Sequence, residues 1–405
     1  MTGTSDVISG REPPVVSVAE LDADPHAVLR NYREQTPIIR REDGAFLVLR
    51  ASDVLALVRD HRTRQIETEL IELRGVKEGP LHEFFQHAML FSNGSDHTRR
   101  RGPMTRAFAF RMMEEMRPRI RALADAFLDR CHAEGNMRFL EQYAAAIPSH
   151  TIAAILGIPS DDIPRFTRSV YTVAKALSGS WRLADVPEID KAVSDLKDYV
   201  SDLLDDRRRN PRDEFLSHYI EAVERQGELS PLEAVIQIIT VVLGGSDTTR
   251  AAMAIQMALL LQHPQQWKAI CQDPTLVSNA VSEALRYEPS VASYPRFTLE
   301  AIDIDGRQLP AHRPIVLSTM SAMRDNELYA DPDKFDILRN HPRWHPVFGG
   351  GPHRCLGEQL ARAELEEGLS AIAARIPQLR LVSDPPKITG HAGIRQVSEF
   401  HVGWA

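Results

Sequence analysis

From Ser230 to His263-Pro264 the chain holds one continuous helical pattern, weakened only by a glycine pair near its middle. About 32 residues at 1.5 Å per residue make a helix of roughly 48 Å, long enough to cross an entire domain. Its start is marked three times over: Ser230 as a cap, Pro231 at the first helical position, and Glu233 placed to close a capping box. Val235, Ile236, Ile238, Ile239, Val241, Val242 and Leu243 leave no polar face, so the helix must be buried on most sides. No linker-like stretch divides the 405 residues. The expectation is one large, mainly α domain spanning residues 1–405, built around this helix.

The weak spot reads Gly244-Gly245-Ser246-Asp247-Thr248-Thr249. Each glycine costs a helix about 1 kcal/mol relative to alanine, so the run needs a reason. A kink or close packing against another backbone would supply one. The functional alternative is that small residues let a flat ligand and a diatomic molecule approach, with Asp247 and Thr248 supplying protons.

A second unusual stretch, Phe348-Gly349-Gly350-Gly351-Pro352-His353-Arg354-Cys355-Leu356-Gly357, precedes a strongly helix-forming run that starts at Glu358. Three successive glycines let the backbone lie against a flat partner. Cys355 falls just before or at a helix N-terminus beside Arg354, a setting that favours thiolate, the form that binds metal. Two other readings stand beside this one. Cys355 could be a small buried hydrophobe in a tight turn. Zinc held by His353 and Cys355 would lack the further Cys or His that a closed tetrahedral site needs.

Phe348 to Gly357 resembles the haem-binding loop of the cytochrome P-450 superfamily, Phe-Gly-x-Gly-x-His-x-Cys-x-Gly, at every fixed position. Four further stretches resemble the family in the family's order: His97 and Arg101 as His-x-x-x-Arg, Gly244 to Thr248 as Ala/Gly-Gly-x-Asp/Glu-Thr, Glu283 and Arg286 as Glu-x-x-Arg, and Arg296. The resemblance implies a triangular-prism fold, mainly α with a small β-rich subdomain. It implies haem b with Cys355 as iron ligand, seated by Phe348, Gly349, Gly351 and Gly357 on one side and Gly244 and Gly245 on the other. His97, Arg101, Arg296 and His353 would bind the haem, with the arginines and His97 on its propionates. Thr248 would donate a hydrogen bond to dioxygen, and Asp247 would relay protons from solvent. Glu283 and Arg286 would lock the core. Lys334 stands where many relatives have Arg, which leaves Arg339 as the candidate third member.

The activity implied is monooxygenation, the hydroxylation of a small or medium hydrophobic compound lined by Phe84, Phe85, Val241, Val291, Ala292 and Ser293. Electrons would come from NAD(P)H through a separate ferredoxin- or flavodoxin-type donor, docking near Arg100, Arg343 and Arg354. A haem-thiolate peroxygenase, a non-oxygenating haem enzyme, and a haem-binding sensor or carrier are the rival readings. All three have less need of both Asp247 and Thr248.

Composition narrows the partners. Lys+Arg 48 against Asp+Glu 56 gives a formal net charge of −8, which offers nucleic acid no footprint. Cys131, Cys271 and Cys355 are too few for a disulfide framework and fit a reducing compartment. No apolar run reaches the roughly 18 residues that span a bilayer. A soluble, cytoplasmic monomer is therefore expected. Around the main motifs, residues 37–41 and 45–49 read as a hairpin, and 61–92 as a long loop with helical pieces that roofs the pocket in the resembled family. A helix opens at His97 after Ser95 or Asp96, with Arg99, Arg100 and Arg106 on a solvated face. Helices over 116–132, 139–156, 161–178 and 188–207 follow, the last two being the lid that the resemblance implies.

Overall fold

The computed structural model describes residues 11–108, 110–178, 181–342 and 346–404, with side chains from Glu115 onward in the helix that begins at Phe110. The central helix runs Pro231–Gln262 for 32 residues. Its capping box is closed in both directions: Ser230 Oγ accepts the Glu233 N–H at 3.2 Å, and the Ser230 N–H donates to Glu233 Oε2 at 3.1 Å.

Glu233 also binds the neighbouring helix Gly94–Ala107. Arg99 Nη2 lies 2.6 Å and Arg100 Nε 3.1 Å from Glu233 Oε1, so the solvated face expected for these two arginines does not exist. Both are spent on anchoring the start of the central helix; only Arg106 of the three is exposed. Burial alone would raise the Glu233 carboxyl, but hydrogen bonds from Arg99, the Ser230 amide and Arg100 outweigh it and bring it down to about 2. The helix Gly94–Ala107 begins before Ser95 and Asp96, which lie in its first turn rather than at its cap. Asn93 precedes it, its side chain tied to Gln65 and Glu67.

Helices Ile163–Ala174 and Val186–Arg209 pack against the central helix. Helix Glu358–Arg375 packs against it and, most extensively, against Phe110–His132. The β-rich side is a six-stranded sheet in the order Val15–Val16, Ile38–Arg41, Phe46–Val48, Pro314–Ser318, Ser293–Thr298, Thr63–Gln65. The expected hairpin is present, pairing Ile38 with Val48. Thr63–Gln65 and helices Glu69–Leu73 and Pro80–His87 fall within the stretch read as loop; three strand residues are too few to show a period. The architecture is mainly α with a small β-rich region, as expected.

Helix Val277–Tyr287 places Glu283 and Arg286 at 0 % exposure, where an unpaired charge would be intolerable. Arg286 uses Nε and Nη2 on Glu283 at 2.7 and 2.9 Å, and gives its remaining protons to the carbonyls of Met323, Pro332 and Lys334. Arg339 Nε reaches Glu283 Oε1 at 3.3 Å. Lys334 contributes its carbonyl only, its ammonium pairing with Asp336 at the surface. Arg339 is therefore the third side chain of this network. Glu283→Ala strands Arg286 in the core and is expected to destabilise the chain by about 3–5 kcal/mol, read as a lowered denaturant midpoint. A midpoint like that of the parent would show that the network carries no stability.

Candidate functional site

The cysteine loop is two tight turns, Pro346–Phe348 and Gly351–His353, followed by helix Glu358–Arg375. Gly349 and Gly351 take φ of +67° and +62°, a region that disfavours side chains, and a Cβ on Gly351 would approach the Val58 carbonyl to 3.2 Å. The Cys355 amide donates to the Phe348 carbonyl at 2.8 Å and closes the loop.

Cys355 presents accessible surface, yet it is crowded so closely that burial pushes its thiol up to about 11. The two observations agree if the residue is reached from an internal cleft rather than from the outer surface. The thiolate-favouring setting expected from the sequence is not realised by the protein alone. The helix starts at Glu358, three residues on, and Arg354 pairs with Glu358 at 2.8 and 3.1 Å; the Gly357 amide, Arg101 and Arg354 still favour the thiolate, but burial outweighs them. A bound cation would have to supply the missing stabilisation and release the thiol proton.

The central helix is buried at every position from Glu233 to Leu260 except Val241, Gly244, Gly245, Thr248 and Arg250. The first four stand at i, i+3, i+4 and i+7, one face of the helix. A single stripe is thus open, and it coincides with the glycine pair. A Cβ on Gly244 would meet nothing within 4 Å. Thr248 Oγ1 donates to the Gly244 carbonyl at 2.7 Å. Asp247, buried beside the stripe, accepts from Arg250 Nε at 3.0 Å, and the Arg250 guanidinium lies 4.7 Å over the Tyr171 ring of helix Ile163–Ala174.

Three side chains, Arg296, Arg101 and His97, converge on His353. Arg296 is buried, its guanidinium bonded only to Thr63 O and Oγ1, and burial lowers it to about 10. Arg101 donates to the Arg354 carbonyl at 2.6 Å. Among the described residues neither arginine meets a carboxylate. The His97 and His353 rings stack at 4.0 Å. Burial, with Arg101 nearby, lowers His97 to about 4; burial, His97, Arg296 and Arg101 lower His353 to about 3. His97 Nε2 is buried with no hydrogen-bond partner. Two guanidiniums without anions and an orphaned ring nitrogen call for carboxylates from outside the chain.

One sulfur reached from a cleft, glycine-lined approaches and a carboxylate-seeking corner fit a flat macrocycle with one axial thiolate and two acid arms. No group of three or more His, Cys, Asp or Glu among the described residues could hold a metal ion by itself. The model of the family "Cytochrome P450" matches residues 73–375. The chain belongs to the cytochrome P450 family. It is 46% identical over 391 residues to the plant-inducible cytochrome P450-pinF1 of Rhizobium radiobacter, covering 96% of this chain and 93% of that protein. The vitamin D(3) 25-hydroxylase of Pseudonocardia autotrophica is 35% identical over 297 residues, 72% of this chain and 71% of that one. Among solved structures, P450BioI in complex with an acyl carrier protein bearing hexadec-9Z-enoic acid superposes with a TM-score of 0.88 at 27% identity, over 95% of this chain and 100% of that one. This P450 is accordingly a haem-thiolate monooxygenase working with iron and dioxygen. No helix among the described residues is long and apolar enough to cross a membrane.

The expected substrate wall needs correction. Phe84 and Phe85 are packed in the main core, Phe85 stacked on Phe91 at 4.1 Å, and so line nothing open. Ala292 is buried in a small separate cluster with Val16 and Leu21. Ser293 is buried, its Oγ taking the Gly393 N–H at 3.2 Å. Val241 and Val291 keep partial exposure. What the sequence did not show is the turn between Ile388–Thr389 and Gln396–Val397, where Gly393 accepts from the Ala292 amide at 2.8 Å and Ile394 bridges Val291. Of the expected docking residues, Arg100 is buried in its ion pair, Arg354 is exposed, and Arg343 lies outside the described residues.

Two outcomes follow from this geometry. Arg296→Ala and His97→Ala each remove a carboxylate partner, and the purified variants are expected to hold less haem per chain than the parent; a ratio equal to the parent's would contradict the acid-arm assignment. Glu364, in the helix after the cysteine loop, has an unpartnered buried carboxyl oxygen, and burial raises it to about 8 from the ordinary 4.5. The folded chain then holds a proton that the unfolded chain has lost, so stability falls as pH rises through that interval. Glu364→Gln should flatten the fall, measured as denaturant midpoints at its two ends.

Proposed function

We propose that this P450 hydroxylates a small or medium hydrophobic compound, with electrons from NAD(P)H delivered by a separate ferredoxin- or flavodoxin-type protein. The observation that carries the reading is the open stripe Val241–Gly244–Gly245–Thr248 on an otherwise buried helix, with Asp247 directly beside it. Partial exposure of Val241 and Val291 supports an apolar substrate, and so does the kinship to a vitamin D(3) 25-hydroxylase.

When bound, the haem supplies dioxygen activation and C–H oxidation. The chain's own residues hold and move protons. Thr248, the last residue of the stripe, keeps its proton on Oγ1 in a hydrogen bond donated to the Gly244 carbonyl. When Thr248 gives that proton up, Asp247 relays a replacement from solvent, turning about its side-chain bonds from Arg250 toward Thr248. Arg250 restrains that turn and, through Tyr171, ties it to the helix Ile163–Ala174. Cys355 would ligate the iron; Phe348, Gly349, Gly351 and Gly357 would seat the macrocycle, and Arg101, Arg296, His97 and His353 would hold its acid arms. The donor protein approaches the exposed Arg354 side of the cysteine loop.

Thr248→Ala removes a positioned proton source, a contribution of roughly 10²-fold or more. Product formed per NAD(P)H consumed is expected to drop sharply while substrate still shifts the haem Soret band. Unchanged coupling would sink the relay. Arg354→Glu is expected to slow reduction by an acidic ferredoxin, and the slowing should fade at high salt.

A further inference from the structure

Strand Ser293–Thr298 carries Arg296, and alternate residues of a strand share a face, so Tyr294 points to the same side as Arg296. There its hydroxyl meets the first turn of the cysteine loop. It accepts the Gly349 N–H at 3.0 Å and donates to the Pro346 carbonyl. Gly349 is required there by its φ of +67° rather than by space, since a Cβ would lie at an ordinary contact distance of 4.0 Å from Tyr294 Cζ. The same turn presents the Phe348 carbonyl that receives the Cys355 amide. Tyr294 is itself held firmly, its backbone paired with Leu317 and its ring packed on the cluster of Ile38, Val48, Leu57 and Val58. Burial raises its phenol well above the usual tyrosine range, so the hydroxyl stays a proton donor.

We propose that Tyr294 is a positioning residue: its hydroxyl fixes the turn that seats Cys355 and locks it to the strand that carries Arg296. The sulfur end and the acid-arm end of the haem are then kept in one register by a single side chain. The proposal rests on the reading of Cys355 as iron ligand. Phenylalanine at 294 keeps the ring packing and removes both hydroxyl hydrogen bonds, to the Gly349 amide and to the Pro346 carbonyl. The loop can then shift relative to the strand, and the sulfur is held less firmly.

The test is Tyr294→Phe in the holoenzyme. The reduced carbonyl adduct should lose its strongly red-shifted Soret band in mild denaturant roughly tenfold faster than the parent, a factor in keeping with the loss of a buried hydrogen bond. The haem reduction potential should move as well, with substrate affinity kept. A residue that only packs the strand would lower the unfolding midpoint and leave the potential alone. An unchanged decay rate and potential therefore overturn the proposal. If Tyr294→Phe accumulates without haem, 3-fluorotyrosine at 294 keeps the hydroxyl but makes it a stronger donor: a displaced potential supports the proposal and an identical one overturns it. A parent that shows no red-shifted band would overturn the Cys355 reading itself, a result distinct from failure at Tyr294 alone.

Discussion

A 32-residue helix can be buried only if every one of its faces finds a partner, and this constraint shapes the rest of the molecule. Arg99 and Arg100 close over its start through Glu233. Helices Ile163–Ala174 and Val186–Arg209 cover it on one side, Glu358–Arg375 on another. Four of the five residues left open between Glu233 and Leu260 lie on one face, so the site is a breach in packing rather than a separate element. Helix propensity is given up there: two glycines and two threonines destabilise the helix locally, and only the burial on either side holds it continuous.

Charge follows the same logic. Glu283 and Arg286 bury opposite charges with every proton of the guanidinium placed, so the core behind the cysteine loop is electrically complete. Arg101 and Arg296 are incomplete by the same standard. Satisfying buried Arg286 in full while Arg296 and the half-buried Arg101 meet no carboxylate among the described residues marks where an acidic ligand belongs. Burial likewise disfavours the charged form of the Cys355 thiol and pushes it up to about 11.

Much of this was legible in the residues. Ser230, Pro231 and Glu233 gave the start of the central helix to the residue because a capping box is a local device. Glycine runs and the Glu-x-x-Arg spacing were legible for the same reason. What was missed depends on distant partners. Arg100 looked like a solvated surface cation because Glu233, 133 residues on, does not show in a local pattern. Phe84 and Phe85 have the composition of a pocket wall, yet their rings turn into the core. The Gly393–Ile394 turn and Tyr294 act through backbone groups, which no side-chain motif records. The expectation of a ready thiolate left out burial, which depends on distant packing and pushes the Cys355 thiol up despite Arg354 and Arg101.

The central claim is that Cys355 binds the haem iron as a thiolate. The most direct measurement is the absorption spectrum of the reduced, carbonyl-bound protein, taken for the parent chain and for Cys355→Ala at equal haem loading. The account predicts a strongly red-shifted Soret band in the parent and its complete absence in the variant. A variant that kept the red-shifted band would contradict it.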